Sequence, residues 1–108
     1  MIDLPILTEA HLAAARASER GRSAELVLHD GELRQSVIAL TAGTELAEHN
    51  APPAASLQVL TGRVRVTDGA GGAEVADGSL YLLTHERHAV VALEDSVFLL
   101  TTVTSVPA

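Results

Sequence analysis

From residue 24 to residue 103 the chain consists of short apolar runs cut by glycine-bearing turns, a rhythm that restricts it to an all-β architecture. AELVLH (24–29) is followed by Asp30-Gly31 and then by ELRQSVIAL (32–40). An Asp-Gly pair between two such runs is the strongest short-range signal for a β-hairpin. RVRVT (63–67) alternates, with Val64 and Val66 on one face and Arg63 and Arg65 on the other, which suits a solvent or subunit-contact face. Asp68-Gly69 closes that run, the glycine-rich stretch 69–72 predicts a loose turn, and Asp77-Gly78 marks another. SLYLL (79–83), HAVVAL (88–93) and SVFLLTTV (96–103) complete the series. About eight short strands with regular turns point to a jelly-roll-type barrel.

The last run is apolar on both faces, with Val97 and Leu99 on one and Phe98 and Leu100 on the other. Such a strand needs a second layer, from within a sandwich-like barrel or from a neighbouring subunit. Residues 8–20 (TEAHLAAARASER) predict a short helix, with Thr8 as N-cap, Glu9 in the first turn, Arg16 and Arg20 near the far end and Gly21 just beyond. Its apolar face is thin, Leu12 plus alanines, which places it on the outside of the barrel or against a partner. These two features together predict a homodimer through sheet faces or edges. We expect one domain over 1–108, with the barrel at about 24–104. Phe98 and Tyr81 are the sole aromatics, so the core is aliphatic.

Charge narrows the partners. Asp and Glu outnumber Lys and Arg by 14 to 7, giving a net charge of -7. A net-negative chain without a basic run or an aromatic cluster is not expected to bind nucleic acid or an anionic membrane surface. With no cysteine there is no thiolate chemistry or disulfide framework. MIDLPIL lacks the basic start and the length of a signal segment, and no uninterrupted apolar run spans a bilayer, so a cytoplasmic location is the expectation. No nucleophile elbow, P-loop or dinucleotide fingerprint is present; Gly69, Gly71 and Gly72 lie between strands with no helix following.

The stretch GTELAEHNAPPAASLQVLTG, from Gly43 to Gly62, resembles the first motif of the cupin family. Gly43, His49 and Gly62 fall in register with it, whereas Ala51 stands at its second histidine position and Ala55 at its glutamate position. Gly78 and His88 match the second motif, with Ser79 after the glycine and a turn, LTHERH, that is one residue short and lacks Pro and Gly. The resemblance covers roughly residues 32 to 103. It implies a small single-domain cupin barrel, commonly homodimeric, with a metal held in the family by imidazoles and a carboxylate.

Here the ligand set is depleted. Ala51 and Ala55 donate nothing, and a divalent ion in a partly apolar barrel needs about four good donors. Tight metal binding, and hence a cofactor, is therefore not expected; if a divalent metal binds, His49, His88 and His85 hold it. Glu48 adjoins His49 but alternates to the other face, while Glu45 and Glu86 lie in loops and could bend inward. The expected pocket comprises His49, His88, His85, Ala51, Ala55 and Tyr81. Gln58, between Leu57 and Val59, points to the opposite face from both, and His11 and His29 are expected at the surface. Alternation gives no support for turning Arg34 or Arg87 inward. The leading function is small-molecule binding, or a sensor or accessory role, without catalysis. The alternatives are a reduced-ligand metalloenzyme of the dioxygenase or isomerase type, and a metal-free isomerase or lyase with His49 or His88 as general base.

Overall fold

The computed structural model describes residues 1–47, 53–68, 71–83 and 87–104. Among them the elements are α1 (Leu4–Ala17), β1 (Arg22–Asp30), β2 (Leu33–Leu40), β3 (Glu45–Ala47), β4 (Ala54–Thr61), β5 (Arg63–Asp68), β6 (Gly71–Ala76), β7 (Leu80–Leu83), β8 (Ala89–Ala92) and β9 (Ser96–Val103). The glycine-rich stretch is less of a turn than its sequence suggests: Gly71 and Gly72 already pair with Asp68 and Thr67 at the start of β6. The helix is shifted relative to the predicted 8–20. Asp3, not Thr8, is the N-cap, its carboxylate accepting from the Ile6 N–H at 3.1 Å, and Pro5 occupies the first turn, where a missing N–H costs nothing. At the other end Ser18 turns to extended backbone, three residues before the expected Gly21 stop. No helix among the described residues is long and apolar enough to cross a membrane.

The strands form two antiparallel sheets, one of five strands in the order β1-β2-β9-β4-β7 and one of four in the order β3-β8-β5-β6. Period-two alternation aims one side of each sheet at the other. Ile38, Leu57, Val59 and Phe98 from the larger sheet meet Val64, Val66, Val75 and Val90 from the smaller one in a single apolar core. Gln58 lies on the outer side, as its flanking residues Leu57 and Val59 predict. Arg63 and Arg65 are exposed on β5 and reach Glu74 of β6 at 3.8 and 3.5 Å, contacts worth about 0–1 kcal/mol in water.

The second layer over β9 comes from within the chain. Val37, Ala39 and Val97 on the outer side of the larger sheet are fully buried beneath Ala15, Leu12, Leu7 and Leu4 of α1. A neighbouring subunit is not needed there, so that ground for a dimer falls away. His11 is correspondingly not a surface residue: its side chain is 12% exposed, with Nδ1 2.8 Å from Ser23 Oγ and Nε2 3.0 Å from Glu25 Oε1. Those two β1 residues stand on the side of the sheet that α1 covers, and alternation along a helix alone does not reveal them.

The far end of α1 is tied down by one carboxylate. Asp95 accepts from Arg16 Nε at 2.8 Å and from the Ala42 N–H at 2.9 Å, joining the helix, the β2–β3 connection and the β8–β9 turn. The Ala42 N–H, followed by the Arg16 guanidinium, holds the Asp95 carboxyl below its ordinary value of 3.8. A lowered folded-state pKa stabilises the fold fully above the unfolded value, and that contribution disappears as pH falls through the folded one. Asp95→Ala is therefore expected to lower Tm at neutral pH, with the gap to the parent closing as pH is taken down from 3.8; paired thermal melts across pH check this.

Candidate functional site

The two ends of the barrel are built differently. At one end the chain passes between the sheets in tight turns. The pairing of the smaller sheet runs on into them through Asp77 N to Gly62 O (3.0 Å), Gly43 N to Ala92 O (2.8 Å) and Leu93 N to Arg63 O (2.9 Å). Ser96 Oγ of β9 stitches the two sheets together by accepting from the Arg63 N–H at 2.9 Å. At the other end β3, β5 and β7 finish and β4, β6 and β8 begin. The connections from Ala47 to Ala54 and from Leu83 to Ala89 cross between sheets here, which makes the strand ends neighbours. His49, Ala51 and His85, with Glu48 and Glu86, belong to these connections and lie outside the described residues.

His88 immediately precedes β8 at this end and is 6% exposed. It shares the parity of Val90 and Ala92, both buried in the barrel core, so it belongs to the inner row of its sheet. The pairing of β5 with β8 runs from Val64↔Ala92 to Thr67↔Ala89; one further step sets Asp68 opposite His88. Asp68 shares the parity of the inward Val64 and Val66 and is half-buried. Both Asp68 and His88 are engaged in interactions of their own.

Across the barrel the matching rows come from the larger sheet. Register places Arg34 beside Thr102, Thr102 beside Ala55, and Ala55 beside Leu83. The next row inward runs Ser36, Leu100, Leu57, Tyr81. Ala55 is buried and Tyr81 partly buried against the core, both on the inner side. Arg34 is on the same side of β2 as Ile38 and Leu40, although exposed at the strand's outer end. That corrects the expectation from alternation: VIAL is buried on both sides, which hides which of its faces is interior. His29, by contrast, is exposed as expected.

Asp68 is thus a polar residue that the sequence does not bring to this end, and Arg34 one that alternation leaves without an inward role. For Asp68 the signal was present, because the clean alternation of RVRVT continues to it. Its place in an Asp-Gly pair gives the competing signal of a turn.

Of the candidate metal ligands, His88 lies among the described residues, whereas His49 and His85 do not. Ala55 puts a buried methyl where a carboxylate is needed, and among the described residues no three His, Asp or Glu side chains gather as an ion requires.

Similar solved structures exist. A conserved protein of unknown function from Streptococcus pyogenes superposes with a TM-score of 0.73 at 23% identity, over 83% of this chain and 80% of that one. An RmlC-like cupin protein from Desulfovibrio desulfuricans gives 0.67 at 23% identity, over 76% and 81%. The fold is the cupin barrel. A salicylate 1,2-dioxygenase from Pseudaminobacter salicylatoxidans also carries this fold, with a TM-score of 0.75 at 16% identity over 90% of this chain but 33% of that one. No family model matches the sequence, and no curated protein does. Cupin folds at this level of identity serve unrelated chemistries, so the site decides the function.

Proposed function

We propose that this cupin barrel binds a small, largely apolar molecule at the His88 end, as a sensor or accessory module without a tightly bound metal. The observation that carries the reading is His88 itself: a buried imidazole on the inner row of a largely aliphatic barrel, with Asp68 opposite it. Apolar walls with few, fixed polar groups suit a small-molecule site, the walls supplying affinity and the polar groups orientation. Nothing in the donor set described above favours a cation, since desolvating one without enough donors is costly.

A fragment screen by amide NMR tests this. Hits are expected to shift Tyr81, Ala89 and Thr102, and His88→Ala to weaken the best hit about tenfold, the worth of one buried hydrogen bond. Hits that map only to the outer surface, or binding unchanged in both His88→Ala and His88→Gln, would sink the reading. Metal analysis of untagged protein provides the second arm. Stoichiometric iron, zinc, nickel or manganese that disappears in His49→Ala replaces the metal-free reading with a metalloenzyme.

The facing of Asp68 and His88 supports one alternative, a metal-free isomerase or lyase in which Asp68 orients the imidazole and His88 moves the proton. Turnover that survives His88→Ala would exclude it.

A further inference from the structure

We propose that the ligand of the His88 end carries a single carboxylate, taken by Arg34 with His29 and Thr102 beside it. The inference rests on the small-molecule reading and names the chemical class that reading leaves open. Pairing of β1 with β2 sets His29 opposite Arg34, so the inner row of the larger sheet at this end runs His29, Arg34, Thr102, Ala55, Leu83. Directly paired residues point to the same side of a sheet, and Arg34 is on the side of Ile38 and Leu40. The row is therefore polar along β1, β2 and β9 and apolar along β4 and β7. All three polar members offer hydrogen-bond donors, and none is an acid. One row inward, Leu100 and Leu57 continue the apolar wall.

Charge selects the class. Arg16 pairs with Asp95, and Arg63 and Arg65 reach Glu74, whereas Arg34 has no ion-pair partner among the described residues. Of the other arginines without one, Arg20 and Arg22 lie at the stitched end, where Arg22 pairs with Leu40, and Arg87 alternates away from the inward His88. Arg34 thus directs a cation to the loop-bearing end of a chain whose net charge is -7. A carboxylate meets the planar guanidinium edge-on through two parallel bonds. A neutral ligand leaves that cation unused, and a dianion such as a phosphate monoester brings more charge to face Asp68 on the opposite sheet. Because Asp68 stands on the smaller sheet, the anionic end of the ligand lies toward β2 and its apolar body toward Ala55, Leu57 and Leu83.

Matched acids and amides test this by amide NMR titration at neutral pH: cyclohexanecarboxylate, benzoate and hexanoate, each against its primary amide. The acids are expected to shift Arg34, Thr102 and Ala55 and to bind about tenfold tighter than the amides, the worth of a charge-assisted bond at a wet rim. Arg34→Gln is expected to abolish that preference by weakening the acids alone. Arg34→Lys, which keeps the charge but not the fork, is expected to restore part of it. His88→Ala is expected to weaken acid and amide alike. Arg34 is exposed at a strand end, so its variants are expected to fold, with circular dichroism spectra that match the parent. Amides that bind the inner row as tightly as the acids, or a preference unchanged in Arg34→Gln, overturn the carboxylate assignment and leave the small-molecule reading standing. Binding of neither series at the inner row removes both.

Discussion

Phe98→Ala is expected to lower the unfolding free energy by about 3–5 kcal/mol, a large share of what a domain of this size possesses. Phe98 is fully buried, flanked across the sheet by Ile38 and Val59, and is the single phenylalanine in the chain. Its neighbours are aliphatic and fixed on strands, so they cannot collapse into the space a benzyl group leaves. Phe98→Leu keeps most of the volume and is expected to cost about 1–1.5 kcal/mol. Urea unfolding of the three proteins reads these values from the midpoints at constant slope. A loss below about 1 kcal/mol for the alanine variant would mean that the barrel interior is not packed around this ring.

Gly62→Ala is the second large effect. Gly62 has φ +90, and a Cβ there would collide with Ser96 Oγ and the Asp95 carbonyl oxygen. Ser96 is fully buried and cannot yield without loss: its hydroxyl accepts from the Arg63 N–H at 2.9 Å and donates to Glu94 O at 2.7 Å. The left-handed backbone costs about 1–2 kcal/mol for any L side chain. Displacing the buried serine adds about 1–3 kcal/mol as its partners lose their bonds. Gly31→Ala separates the two terms, because Gly31 has φ +57 but nothing within 4 Å of a Cβ. Gly31→Ala is expected to show the backbone cost alone, and Gly62→Ala distinctly more, in the same unfolding measurement. Equal losses would assign the whole effect to backbone conformation.

Much of this architecture was legible in the residues, and for identifiable reasons. Asp30-Gly31 marked the β1–β2 hairpin, and RVRVT declared its inner face, because one side of that strand is wet. Where both sides are dry, alternation carries no orientation. That is why Arg34 was assigned no inward role and why the cover over β9 was open between a helix and a partner. The helix cap was misplaced because Asp3 and Thr8 both have capping side chains, and only three-dimensional packing of Leu4 and Leu7 decides between them. At the site, motif spacing led to His88 and Ala55. The inward side of Asp68 follows from the alternation of RVRVT, but its place opposite His88 requires the pairing of β5 with β8, a contact between segments distant in sequence.

The stitched end and the loop-bearing end of the barrel separate two kinds of inheritance. Gly62, Ser96 and the bonds around them bind the sheets into one body, so changes there are paid for in folding. The residues between Ala47 and Ala54 and between Leu83 and Ala89 join strands already held from below. A lineage carrying this barrel is therefore free to rewrite those connections while the body beneath stays constant.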